Sequence, residues 1–282
     1  MMNPKLFVCS IALLCFPVSD AKHDVRPERW HGTLILAMVS DNDAVLAADS
    51  LVVRGAGEKR QIRKDCKIKI LSSNFAIAIT GVMAPLQEAT NTIASDPKLS
   101  TKSLSQISSE WYKLSVEHLQ EHSIRWAEPQ YEDDIGGAIF LRVKRFTPIE
   151  YVQTRIQPIR GIDSQYRQMP RKDWLKFFSF KMNSDGSGED SLESWFTDQT
   201  DLAHEDLKFR QDLETKALTS KELDAAAMRI MKGAIDADEQ KAKTDPNHQV
   251  IIGGPIELLH FDRRTGRMHW VQNDFCAAVP PH

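Results

Sequence analysis

The chain has 282 residues, with 36 basic and 39 acidic side chains, a formal net charge of -3 and 41% hydrophobic residues. That apolar share is ordinary for a globular protein and is enough for a sizeable core. No stretch concentrates lysine and arginine into the stripe that phosphate binding requires, so the composition argues against nucleic acid as a partner.

Residues 1–21 have the pattern of an export signal. Lys5 precedes an apolar run from Leu6 to Val18, and Ser19-Asp20-Ala21 places small residues at the two positions that define a cleavage site. The run is about 13 residues, shorter than the roughly 20 that cross a bilayer as a helix, so a membrane anchor is the weaker interpretation. We expect cleavage after Ala21 and an exported protein, periplasmic or extracellular, with no membrane association once the signal is removed.

Two of the four cysteines, Cys9 and Cys15, lie in this signal, which leaves Cys66 and Cys276 in the mature chain. An exported chain can join them, but the sequence does not show whether their Cα atoms lie within bonding range. Two isolated thiols are too few for a disulfide framework or a zinc cage, so we assign them no function.

Residues 22–32 are rich in charge and have no apolar period, which predicts a linker or a removable prosegment. The pattern changes at Thr33. A buried hairpin is predicted from an apolar run over Thr33–Val39, a turn cluster over Ser40–Asp43 and a second apolar run over Ala44–Ala48.

A second hairpin is predicted from strands at Lys67–Leu71 and Phe75–Thr80, and Gly81 closes it. Continuous apolar strands need cover on both faces, so these strands should lie inside a sandwich or beneath helices.

The remaining elements follow in the order helices, strands, helices, strands. Helical spacing predicts helices at Ala84–Ala94 and from Leu104 to about Trp126, and strands follow at Ala138–Val143 and about Glu150–Thr154. Arg155–Asp198 is polar and irregular, and we interpret it as a long insertion. We predict a further helix over about His204–Ala217 and a capping box at Thr219–Glu222 that opens a helix to about Lys241. The last predicted elements are strands at Val250–Phe261 and Met268–Val271. This order predicts one α+β domain over residues 33–282, a four-layer αββα sandwich of antiparallel sheets.

The segment His31-Gly32-Thr33-Leu34-Ile35-Leu36-Ala37, followed by Ala44-Val45-Leu46-Ala47-Ala48-Asp49-Ser50, resembles the opening of proteasome β subunits. In that family of N-terminal-nucleophile (Ntn) hydrolases, a Gly-Thr bond is cleaved to free the catalytic threonine. Asp49 falls at the family's spacing from Thr33. Lys67-Ile68-Lys69-Ile70 and the apolar strand ending at Gly81 are similar to the family's lysine strand and to the glycine whose N–H faces the substrate carbonyl.

The resemblance implies an exported threonine-type amidohydrolase or peptidase that cleaves its own Gly32–Thr33 bond. A threonine hydroxyl is a weak nucleophile, and a free α-amine with a pKa near 8 can serve as its base from the same residue. A nearby cation favours the neutral amine and a carboxylate holds that cation, roles that we assign to Lys67 and Asp49. Gly81 is the expected oxyanion donor. The expected ligand is a peptide or amide substrate without metal or organic cofactor, and the resemblance also implies a homo-oligomer.

Two points of the site stay open in the sequence. Lys69 shares a strand face with Lys67 and could be the inward lysine, although the spacing to Gly81 favours Lys67. The family's aspartate and serine beside the threonine align near Gln249 and Ile252, neither of which can act in the same way. Asp245 or Ser187 are the available substitutes.

Two alternatives belong to other functional classes. One is an inactive proteasome-fold module for binding or assembly, whose prosegment is never removed. The other is a zinc peptidase, because His118-Leu119-Gln120-Glu121-His122 matches the H-x-x-E-H signature of two imidazoles and a glutamate on one helix.

Overall fold

The computed structural model describes residues 7–13, 30–31, 34–39, 42–54, 61–81, 83–121, 136–158, 166–168, 219–246, 250, 252–274 and 276–280. Its strands and helices follow one another in chain order as β1 (Phe7–Leu13), β2 (Trp30–His31), β3 (Leu34–Val39), β4 (Asp43–Asp49), β5 (Leu51–Arg54), β6 (Gln61–Lys64), β7 (Ile68–Ser72), β8 (Phe75–Gly81), α1 (Met83–Ala94), α2 (Leu104–Glu121), β9 (Gly136–Arg142), β10 (Glu150–Pro158), β11 (Tyr166–Gln168), α3 (Ser220–Thr244), β12 (Ile256–Asp262) and β13 (Arg267–Gln272).

The described strands form three antiparallel sheets. The first sheet has the order β1-β3-β4-β12-β13, the second has the order β11-β10-β9-β8-β7, and a small sheet has the order β2-β5-β6. Both predicted hairpins are present, as β3 with β4 and β7 with β8. The predicted α+β class with antiparallel sheets is therefore what the structure has.

Three apolar clusters hold these elements together, and the alternation of strand side chains sorts them. Even-numbered residues of β3, such as Leu34 and Leu36, pack with α3 residues including Met231. Odd-numbered residues of β3, such as Ile35, pack instead with residues of the second sheet. The far face of the second sheet packs against α1 and α2, where Trp111 is fully buried. Burial on both faces explains why β3, β4 and β8 are continuous apolar runs.

Several strands begin or end at residues other than those predicted from the sequence. The segment 54–65, where no strand is predicted, contains the end of β5 and all of β6, whose side chains are exposed and so leave no apolar pattern. The expected insertion at Arg155–Asp198 begins inside β10, which continues to Pro158, and includes β11. The strand expected from Val250 starts only at Ile256. The helix expected at His204–Ala217 lies outside the described residues.

The capping box at the start of α3 is present as predicted. The N–H of Glu222 donates to the Thr219 hydroxyl at 3.4 Å, and the N–H of Thr219 donates to the Glu222 carboxylate at 2.9 Å. α3 continues to Thr244, a few residues beyond the predicted end near Lys241. Two N–H groups that the helix leaves without internal partners are satisfied in this way.

Cys66 and Cys276 form a disulfide, with Cα atoms 5.3 Å apart. The pairing, which the sequence left open, joins the approach to β7 to the segment that follows β13. Cys66 packs against the apolar cluster between the two large sheets.

A buried histidine links α3 to the first sheet at the end opposite the Asp49 terminus of β4. His260 of β12 is 2% exposed; its Nδ1 lies 2.7 Å from Asp224 of α3, and its Nε2 lies 3.1 Å from Asp43 of β4. Burial alone lowers the pKa of His260, but the hydrogen bonds to Asp224 and Asp43 more than offset this and raise that pKa to about 9. The imidazolium is thus the folded form at neutral pH.

We expect the His260→Ala variant to lose on the order of 3 kcal/mol of unfolding free energy below pH 6.5, because a folded pKa near 9 exceeds the unfolded 6.5. Because the pKa of His260 is raised in the folded state, its ion pairs stabilise the fold fully at pH values below the unfolded-state pKa. That stabilisation disappears as the pH rises through about 9. Urea unfolding at pH 6 and pH 9.5 measures this difference. His118→Ala, a partly exposed control on α2, should change little, and a cost for His260→Ala that is equal at both pH values would contradict the assignment.

Candidate functional site

Asp49, the last residue of β4, is fully buried and has a carboxylate that accepts four hydrogen bonds. Its Oδ1 accepts from the N–H of Leu34 at 2.6 Å and from the Lys67 ammonium at 2.7 Å. Its Oδ2 accepts from the N–H of Gly253 at 2.8 Å and from that of Leu51 at 3.3 Å. The carboxylate therefore joins the start of β3, the start of β7 and the loop before β12. We call Asp49, Lys67, Leu34 and Gly253 the Asp49 cluster.

Lys67 lies one residue before β7, and its side chain is 0% exposed. Besides Asp49, its ammonium donates to the carbonyl of Leu51 at 2.7 Å. Burial lowers the pKa of the Lys67 ammonium, and the Asp49 carboxylate opposes that shift only in part. A lysine in this state gives up a proton more readily than a solvated one. Lys69 is exposed, so Lys67 is the inward lysine.

The loop at residues 252–254 approaches Asp49 through its backbone. The carbonyl of Gly253 accepts from the N–H of Ser50 at 3.2 Å and from that of Leu51 at 2.9 Å. Gly254 has φ = +77°, and a Cβ on it would lie 2.6 Å from the Ser50 hydroxyl. Only glycine adopts this conformation at so close an approach without strain. The Ser50 hydroxyl is buried and has no hydrogen-bond partner among the residues that the structure describes.

The positions where the family resemblance would place an aspartate and a serine do not supply them. Ile252 is 1% exposed and packs in the apolar cluster under α3, and Gln249 lies outside the described residues. Of the two substitutes, Asp245 ends α3, where its N–H donates to the Lys241 carbonyl. Ser187 lies outside the described residues. The described residues of the loop at 252–254 thus have no serine or aspartate side chain.

Gly81 ends β8 with φ = +106° and lies opposite Gly136 of β9. A Cβ on Gly136 would lie 2.5 Å from the Thr80 carbonyl oxygen and 3.3 Å from the Gly81 Cα. This end of the second sheet therefore excludes side chains at Gly136. The role of the Gly81 N–H toward a substrate carbonyl stays a prediction.

Gly32 and Thr33 lie outside the described residues, but the residues on both sides of them are placed. Trp30 and His31 pair antiparallel with Arg54 and Val53 of β5. Leu34, joined covalently to Thr33, begins β3 and donates its N–H to Asp49. The chain is therefore held by the small sheet before the predicted cleavage point and by the Asp49 cluster after it.

The residues of the alternative zinc site are placed in part. The Nδ1 of His118 lies 2.9 Å from the Glu121 carboxylate on the surface of α2, and His122 lies outside the described residues. Among the residues that the structure describes, no group of three histidine, cysteine, aspartate or glutamate side chains is arranged to hold a metal ion.

None of the described helices has a stretch long and apolar enough to cross a membrane.

Sequence reasoning singled out Asp49 and Lys67, whose side chains the structure brings together, but missed the backbone groups that meet them. The N–H of Gly253 and the carbonyl of Leu51 belong to residues whose side chains have no polar atoms, so no residue type marks them. The Gly253-Gly254 pair was the available signal, because paired glycines allow a close backbone approach.

Comparisons with known proteins give matches among solved structures. No protein-family profile matches the chain, and no curated protein matches it in sequence. Among the solved structures that match is the Anbu (Gly-1) mutant from Hyphomicrobium sp. strain MC1, with a TM-score of 0.45 and 16% sequence identity. The match covers 86% of this chain and 88% of that chain.

Proposed function

We propose that the chain is a threonine-type N-terminal-nucleophile hydrolase of amide or peptide bonds, and that Thr33 is its nucleophile. One observation carries this proposal: a single buried carboxylate oxygen, Oδ1 of Asp49, binds both the Lys67 ammonium and the N–H of Leu34, the residue after Thr33. The carboxylate that holds this cation thereby also binds the N–H of the residue that follows Thr33. The pairing of β3 with β4 runs from Ile35 to Val39 and does not include Leu34, whose N–H goes to Asp49.

The chemistry follows from Thr33 as a free N-terminus. The neutral α-amine takes the proton of the Thr33 hydroxyl as its oxygen attacks the substrate carbonyl carbon, and the amide's nitrogen leaves with a proton from the resulting ammonium. The acyl group is then an ester on Thr33, which water hydrolyses to a carboxylic acid and the free hydroxyl. The Lys67 cation lowers the pKa of the amine and so favours its neutral, basic form.

The same hydroxyl can act before the terminus is free. Attack on the carbonyl of Gly32 converts the Gly32–Thr33 amide into an ester, with the nitrogen released as the new α-amine. Water then hydrolyses that ester and separates the prosegment. The pairing of Trp30 and His31 with β5 supports this step, since it fixes the acyl side of the bond while Asp49 fixes the other side.

We infer a four-layer αββα arrangement for the domain. Its support is the separation of the core into three clusters, one under α3, one between the large sheets and one under α1 and α2. In such a sandwich, Asp49 and Lys67 come from different sheets, β4 of the first and the start of β7 of the second. The site then lies at one end of the sandwich, between the two sheets.

We also infer that the chain is exported. The supporting observations are the apolar run behind Lys5 and the disulfide between Cys66 and Cys276, since disulfides persist in oxidising compartments. Cleavage after Ala21 would remove β1 and leave β3 as the edge of the first sheet.

An inactive module of the same fold is the second candidate. It is favoured by the buried, apolar Ile252 at a position where the resemblance implies a serine. An inactive chain would keep the Gly32–Thr33 bond intact.

The substrate we propose is an extended peptide that pairs with β5 in place of Trp30 and His31. We expect a fluorogenic amide of acetyl-Trp-His-Gly to be hydrolysed, and the same peptide with N-methylated Trp and His to have a KM higher by about 5-fold for each lost hydrogen bond of about 1 kcal/mol. Steady-state fluorescence measures both, with Thr33→Ala as the blank. Equal KM values for the two peptides, or equal hydrolysis by the variant, would contradict the proposed substrate mode.

A further inference from the structure

A carboxylate from α3 reaches the loop that approaches Asp49. Asp238, in the last third of α3, is 7% exposed, and its Oδ2 accepts the N–H of Ile252 at 3.2 Å. Asp238 is separated from the loop by the end of α3 and the residues that follow it, so the contact joins two different parts of the fold. The neighbouring Ile235 also faces the loop, 4.0 Å from where a Cβ on Gly253 would lie.

Two successive N–H groups of the loop therefore go to carboxylates on different elements. Ile252 donates to Asp238 of α3, and Gly253 donates to Asp49 of β4. The carbonyl of Gly253 accepts from Ser50 and Leu51 on the other side. Each polar backbone group of Gly253 is thus used to fix the loop against the end of β4.

The glycines of the loop have no side-chain packing of their own near Asp49. Gly253 and Gly254 both have positive φ, at +151° and +77°, and neither has a side chain to pack. Glycine pairs allow many backbone conformations, so hydrogen bonds select the one that is adopted. The contact between Asp238 and Ile252 fixes the peptide group immediately before Gly253.

The position of Gly253 matters for Asp49. If the loop shifts, Oδ2 of Asp49 loses its 2.8 Å hydrogen bond and keeps only the 3.3 Å bond from Leu51. The other oxygen of the same carboxylate orients Lys67 and the N–H of Leu34. A rotation of the carboxylate would therefore move the cation and the start of β3 together.

We propose that Asp238 is a positioning residue of the Asp49 cluster, which acts by holding Ile252 so that Gly253 orients the Asp49 carboxylate. This inference rests on the proposed function, because the orientation matters to catalysis only if Thr33 reacts. Asp238 gives the loop a carboxylate that belongs to α3. The family resemblance would instead place an aspartate within the loop itself.

The test compares Asp238→Ala, Asp238→Asn and the matched control Asp236→Ala, an exposed aspartate on the same helix. Two quantities are measured on the full chain: the exchange rate of the Gly253 amide by NMR, and the rate of cleavage at Gly32–Thr33 by mass spectrometry. We expect Asp238→Ala to raise the exchange rate and to lower the cleavage rate, each by about 10-fold, the effect of one lost hydrogen bond to a charged carboxylate. Asp238→Asn retains an acceptor oxygen and should stay within about 3-fold of the wild type in both, as should Asp236→Ala.

Unchanged exchange and cleavage in a folded Asp238→Ala variant would overturn the inference, and so would an Asp238→Asn variant as impaired as Asp238→Ala. Failure of the proposed function is distinguishable from this. It appears as a wild-type chain that is never cleaved at Gly32–Thr33, and Gly253 exchange then decides alone whether Asp238 fixes the loop.

Discussion

The Lys67→Met variant is expected to lose cleavage at Gly32–Thr33 by about 10³-fold, within the range for removal of a group that controls proton transfer. Methionine has a similar length and no charge, so the cation beside Asp49 disappears while the volume is largely kept. The α-amine of any chain that begins at Thr33 should then have a higher pKa, and the acid limb of its pH–rate profile should move to higher pH. Time-resolved mass spectrometry and the pH dependence of peptide hydrolysis measure these two effects.

The same variant should also cost about 3–5 kcal/mol of unfolding free energy, because it leaves the buried Asp49 carboxylate without its cation. The double variant Asp49→Asn/Lys67→Met separates stability from catalysis, since it removes both charges. We expect it to regain most of the unfolding free energy without regaining cleavage. Lys69→Met, an exposed lysine two residues away, is the matched control and should change neither quantity. Normal cleavage by Lys67→Met would refute the role of the cation.

The second large effect is expected at Thr33. The Thr33→Ala variant has no hydroxyl to attack the Gly32 carbonyl, so we expect no cleavage at that bond and no hydrolysis of the peptide substrate. Thr33→Ser keeps a hydroxyl and should retain both reactions at a reduced rate. The pair isolates the hydroxyl from the fold, because neither substitution alters the N–H of Leu34 that binds Asp49.

Much of the first half of the fold could be predicted because its strands are buried on both faces. The runs at β3, β4 and β8 have no exposed positions, so their apolar sequence marks them without ambiguity. β6 was missed for the opposite reason, since all four of its side chains are exposed. Strand formation there depends on pairing with β5, which the local sequence does not encode.

The candidate site could be predicted only where side chains carry the chemistry. Asp49 and Lys67 were identified by spacing, but strand alternation alone placed Lys69 on the same face as Lys67. Alternation fails there because Lys67 precedes the first residue of β7, and the structure leaves Lys69 in solvent. Asp238 had no sequence signal at all, because its contact with Ile252 depends on how α3 packs over the loop.

The central claim is that Thr33 becomes the N-terminus by its own chemistry, and intact mass with N-terminal sequencing of the purified wild type and Thr33→Ala tests it most directly. We predict a wild-type chain that begins at Thr33 and a variant that begins near Lys22 and is heavier by the intervening segment. If both chains begin near Lys22, Thr33 is not a free nucleophile and the inactive module becomes the supported function.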